Sequence, residues 1–147
     1  MKDLHIAVGV LAIGLNAAAG LWGAWCWHRV RQSVLFWRLL RAGQASVLLE
    51  AGLGGILVAI GKSVSNLHLL YGVLPIVVSL IGESLRVSSA QMILDSRGIE
   101  SAQAVGDLEP ADQRQIVTAI VQREIGVMAL AALVIVVLLA RAAGTAG

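Results

Sequence analysis

The sequence predicts an all-α protein: a transmembrane four-helix bundle with a cytoplasmic loop and a helical extension before the last span. Three observations predict it. Hydrophobic residues make up 58% of the chain and charged residues 14%, against ~45–50% and ~25% in soluble domains. Apolar stretches recur four times, each near the ~20 residues needed to cross a ~30 Å hydrocarbon core. Tryptophan and arginine gather at the ends of these stretches, as they do at membrane–water boundaries.

The 147 residues form one integral membrane domain, 1–147. A net charge of +2 is too small to argue for nucleic acid, so the partners expected are the lipid bilayer and other membrane helices. The lone Cys26 excludes an internal disulfide. No CxxC, CxxCH, HExxH, Walker loop, nucleophile elbow or Rossmann fingerprint occurs, which removes the enzyme and metal classes that those motifs carry.

The first span is expected over about 4–27. Ala17-Ala18-Ala19-Gly20 resembles a signal-peptide cleavage site. Against cleavage stand Asp3 beside Lys2, Asn16 within the apolar stretch and apolarity continuing to Trp27. One face runs His5, Gly9, Ala12, Asn16, Gly20, Gly23, small enough for another helix to approach closely. Trp22, Trp25 and Trp27 then form an interfacial cluster before His28-Arg29-Val30-Arg31.

The second span, about 39–61, enters behind Phe36, Trp37, Arg38 and Arg41. Gly43, Val47, Glu50, Gly54, Leu57 and Gly61 share one of its faces, with Glu50 near mid-membrane. The third span, about 67–87, continues as helix to Asp95 and is kinked by Pro75, which lacks an N–H for residue 71. Residues 96–109 are the polar loop. Pro110 suits the first turn of a new helix, with Asp112 near its N-terminus. The last span is expected over about 118–140, followed by a disordered tail from Ala142 to Gly147.

The arginines set the orientation. Arg29, Arg31, Arg38, Arg41, Arg86, Arg97, Arg114 and Arg123 flank the first and third loops, against Lys2, Lys62 and Arg141 on the other side. Eight against three predicts a multi-pass protein of the cell membrane with both termini extracytoplasmic.

Two polar sets fall in the spans. His5 and His68 begin the first and third helices at the same membrane face, each followed four residues later by glycine, Gly9 and Gly72. Two such histidines could ligate one haem b, the glycines leaving room for the macrocycle and Tyr71 reaching a propionate. The plainer alternative makes both histidines interfacial anchors. Glu50, Glu83 and Arg86 form the second set, read either as a proton relay or polar cavity, or as an interhelical ion pair of Arg86 with Glu83 or Glu50, or as a protonated Glu50 bonded to Asn16 or Gln44. Asn16 and Gln44 read as interhelical hydrogen-bonding glue.

Leu4-His5…Gly9, Asn16…Ala19-Gly20-Leu21-Trp22-Gly23, His68-Leu69-Leu70-Tyr71-Gly72-Val73-Leu74-Pro75 and Glu124-Ile125-Gly126-Val127-Met128-Ala129-Leu130 together resemble a group of small four-helix bacterial membrane proteins. That resemblance implies the fold and no activity. In pairing helix histidines the chain is also similar to b-type cytochrome and haem A synthase-like bundles, which place more histidines and place them deeper. The leading expectation is a non-enzymatic accessory subunit or self-associating bundle. The alternatives are a single-haem redox protein and a small proton-coupled transporter or channel.

Overall fold

The computed structural model describes residues 1–145 as four long helices with a short 3-10 helix in the polar loop. The helices are α1 (Lys2–His28), α2 (Val34–Ala59), α3 (Asn66–Ser96) and α4 (Pro110–Gly144), and the 3-10 helix is Gln103–Asp107. All four are long and apolar enough to cross a membrane. They pack into an up-down bundle. One end, the terminal end, carries the start of α1, the α2–α3 connection and the end of α4; the other, the loop end, carries the α1–α2 turn and the 96–109 segment.

Two helix starts are capped by serine. Ser33 Oγ accepts from the Phe36 N–H at 3.2 Å, and Ser65 Oγ accepts from the His68 N–H at 3.2 Å, each taking up a backbone donor that the first turn leaves without a partner. The Ser33 cap starts α2 five residues before its expected apolar stretch. Pro110 opens α4 as expected. The tail expected from Ala142 is helical as far as Gly144; Ala146 and Gly147 lie outside the described residues.

Three helices end in the same way. A residue with positive φ reverses the chain, and the next N–H bonds back five residues. Gly61 (φ 85°) and Gly98 (φ 66°) serve α2 and α3, with Lys62 N–H to Leu57 O at 3.1 Å and Ile99 N–H to Leu94 O at 3.0 Å. At the end of α1 the residue is Val30 (φ 52°), with Arg31 N–H to Cys26 O at 2.9 Å. A β-branched side chain is poorly suited to that conformation.

The hub is α4. Of its most apolar stretch 44% is buried, against 28%, 17% and 11% for α1, α2 and α3. It packs along both α1 and α3, and α2 packs along α1. Small residues permit the closeness. A Cβ on Gly20 would stand 2.6 Å from Leu133 Cδ2, one on Gly23 would stand 2.8 Å from Ala129 Cβ, and one on Gly82 would stand 3.1 Å from Ala131 Cβ. Phe36, Leu40, Cys26, Met128 and Ile125 fill the core at the loop end, and Ala12, Val47, Ile135 and Leu139 fill it at the terminal end.

By contrast α2 and α3 touch only briefly. They are joined near the loop end through Glu83, and toward the terminal end Gly55 of α2 and Gly72 of α3 each face open space. The result is a cleft between these two helices.

Candidate functional site: two polar clusters at opposite ends of the bundle

The cluster at the terminal end is built on α1, with α2 behind it. His5 Nδ1 stands 3.1 Å from Glu50 Oε1, close enough for an ion pair but without hydrogen-bond alignment, so His5 Nδ1 and Glu50 Oε2 are both buried without a hydrogen-bond partner among the described residues. Two glycines make the room. A Cβ on Gly9 would stand 2.8 Å from Glu50 Oε1, and one on Gly54 would stand 3.4 Å from His5 Cε1. Gly9 lies two turns inside α1, about 10 Å at ~1.5 Å per residue. The Glu50 carboxylate is therefore level with the outer part of α1 and not with its middle, where Asn16 sits.

His68 completes the cluster from α3. Its ring centroid is 6.1 Å from that of His5, with the planes at 64°, and its Nδ1–H donates to the Ala142 carbonyl of α4 at 2.9 Å. The two histidines expected to share a membrane face are thus brought together. The room expected at Gly9 is taken by the Glu50 carboxylate, whereas that at Gly72 is open. Tyr71 carries Arg141 over its ring at 5.7 Å.

The cluster at the loop end is built on α2 and α3. Glu83 accepts from Arg41 Nη1, from Gln44 Nε2 at 3.1 Å and from Arg86 Nε at 2.9 Å. Arg41 and Arg86 both lie over the Trp37 ring, at 6.0 and 5.8 Å. Beneath them opens a recess of about 430 Å³ lined by Gln32, Trp37, Arg41, Arg86, Val121 and Glu124. Its one lining carboxylate, the half-buried Glu124, has no ion-pair or hydrogen-bond partner among the described residues, whereas Glu83, held by the two arginines, does not line the recess.

The expected grouping of Glu50 with Glu83 and Arg86 is divided between the two ends. Arg86 pairs with Glu83 within its own helix, and Gln44 bonds Glu83 and not Glu50. Asn16, fully buried, bonds the Ala12 carbonyl of its own helix at 2.8 Å and lays its amide against Gly43. Its Oδ1 finds no partner among the described residues. Sequence reasoning missed Arg41 as a partner of Glu83. The available signal was that Trp37, Arg41 and Gln44 recur every three to four residues along α2, putting an aromatic, a cation and an amide on one face.

No protein-family model, curated protein or solved structure matches this chain.

Proposed function

We propose that this chain is a non-enzymatic bundle of the cell membrane that works by association, through the cleft between α2 and α3, with a second copy or as an accessory subunit of a larger membrane complex. The observation that carries the reading is the pair of glycines on the cleft walls. Gly55 follows Trp37, Arg41, Gln44 and Leu48 along one face of α2; Gly72 precedes Ser79 and Glu83 along one face of α3. Among the described residues nothing lies within 4 Å of where a side chain at either glycine would begin, as is also true of Gly14 and Gly52. Gly55 and Gly72 differ in lying on the faces of α2 and α3 that carry the Arg41–Glu83 contact. Gly20, Gly23 and Gly82, by comparison, are filled by neighbours within the bundle. In hydrocarbon, where helices gain little from hiding apolar surface from one another, a small-residue face is a packing surface.

Single cysteines at 55 and 72, in a Cys26→Ala background, test the reading. Oxidation in lipid vesicles should give a disulfide-linked dimer from Gly55→Cys and Gly72→Cys but not from Gly14→Cys, which is exposed on α1. Equal cross-linking at all three positions, or a monomer at every protein-to-lipid ratio with no partner bound in native membranes, would overturn it.

A second reading rests on the terminal-end cluster. A carboxylate and two imidazoles in line, with two buried polar atoms lacking partners, are suited to taking up and passing a proton. Glu83 has no place in such a relay, since two guanidinium groups hold it. Proton flux into vesicles that Glu50→Gln abolishes would support this reading; equal flux in the variant would remove it.

A further inference from the structure

We propose that the recess at the loop end binds the headgroup of a zwitterionic, primary-amine phospholipid, a phosphatidylethanolamine, with its phosphate on Arg86 and Arg41 and its ammonium on Glu124. This proposal does not rest on the association reading, although the recess lies at the loop end of the same α2 and α3 faces.

The donors are in place. Arg86 spends only Nε on Glu83, so both of its Nη groups are free among the described residues and form the fork that fits two phosphate oxygens. Arg41 commits Nη1 to Glu83 and Gln44 and Nη2 to Glu83 at 3.4 Å, and still contributes its charge. Trp37 lies within cation–π range of both guanidinium groups, 6.0 Å from Arg41 and 5.8 Å from Arg86.

The charge balance selects the ligand. Arg41 and Arg86 bring two positive charges to the walls and Glu124 one negative charge, while Glu83, which does not line the recess, is paired with both arginines. With Glu83 offsetting part of the arginine charge, an anionic headgroup gains little, because it would face Glu124 as well as the arginines. The charges are nevertheless separated. Glu83 is locked on the arginine side, while Glu124, supplied by α4, stands without a partner. A headgroup with phosphate at one end and ammonium at the other complements both sides. A primary ammonium donates hydrogen bonds to a carboxylate, and a quaternary one cannot. The position agrees: Trp22, Trp25 and Trp27 lie at the same end of the bundle, where an aromatic belt marks headgroup depth.

Native mass spectrometry of the detergent-purified protein, titrated with phosphatidylethanolamine, phosphatidylcholine or phosphatidylglycerol of matched chains, tests the proposal. Retention should favour the ethanolamine lipid over the choline lipid by about tenfold, equivalent to ~1.4 kcal/mol. Glu124→Gln should erase that preference while keeping phosphate-dependent retention, and Arg86→Gln should lower retention of both lipids. The wild-type comparison decides even if a variant does not purify. Retention of phosphatidylglycerol equal to or above that of phosphatidylethanolamine would overturn the proposal, as would an ethanolamine preference that survives Glu124→Gln.

Discussion

Glu50 of α2 lays its carboxylate over Gly9 of α1: a Cβ at position 9 would stand 2.8 Å from Oε1, the oxygen that lies 3.1 Å from His5 Nδ1. The glycine is a seat for the acid. A carboxyl group in an apolar bundle is costly unless something polar meets it, and here the polar partner is an imidazole one turn away on the same helix as the glycine.

Gly9→Ala should therefore push Glu50 away from His5; the atoms it meets are the end of a flexible side chain, so the loss should be about 1 kcal/mol, the low end of overpacking. The loss should be contingent on the acid. With Glu50→Ala already present, Gly9→Ala should cost almost nothing, because the crowding atoms are gone. A double-mutant cycle read by denaturant titration in detergent checks this. Additive losses would mean that Gly9 is needed for some other contact.

The end of α1 gives a prediction of opposite sign. Val30 holds a positive φ at the position where α2 and α3 use Gly61 and Gly98. A left-handed conformation costs an L-residue ~1–2 kcal/mol, while glycine's greater freedom in the unfolded chain costs ~0.5–1 kcal/mol. Val30→Gly should stabilise by the difference, about 0.5–1 kcal/mol, and Gly61→Val should destabilise. Thermal melting of both variants beside the wild type is the measurement; a lower melting temperature for Val30→Gly would contradict this account.

What the sequence made legible follows from what is local. Long apolar runs, Pro110 at a helix start and the Glu83–Arg86 spacing each depend on residues within a turn or two of one another. The small-residue face of α1 was also readable, since Ala12, Asn16, Gly20 and Gly23 are all buried. The pairing of Glu83 with Arg41, 42 positions away, depends instead on how far α2 is rotated and slid against α3. Spacing within one helix does not carry that information. For the same reason spacing alone groups Glu50 with Glu83, whereas the packing of α2 on α1 brings it to His5. The role of α4 as hub had a sequence signal in the alanines Ala129, Ala131 and Ala132, whose small side chains let α1 and α3 close on it.

Orientation in the membrane is open to direct test. The arginine bias predicts that the loop end faces the cytoplasm, which puts Gly106 inside and Lys62 outside. In a Cys26→Ala background, Lys62→Cys should react with a membrane-impermeant thiol reagent in intact cells, and Gly106→Cys only after lysis. The reverse pattern would invert the assignment.

The last prediction concerns haem. A bis-histidine site needs both imidazoles aimed at one iron, each nitrogen at ~2.0–2.1 Å as in other imidazole–metal bonds, with a macrocycle's width of empty space between them. The ring-centroid distance of 6.1 Å leaves room for an iron, and both Nδ1 atoms face oxygens of Glu50 and Ala142, which frees the Nε2 atoms. The macrocycle is the difficulty. Its expected space beside Gly9 is filled by the Glu50 carboxylate, and moving that group would remove the oxygen facing His5. The wild-type protein purified from haem-supplemented cells should accordingly show no Soret band and gain none with added haemin. A reducible Soret band that His68→Ala abolishes would reverse this conclusion and make His5 and His68 axial ligands, with Glu50 displaced from Gly9.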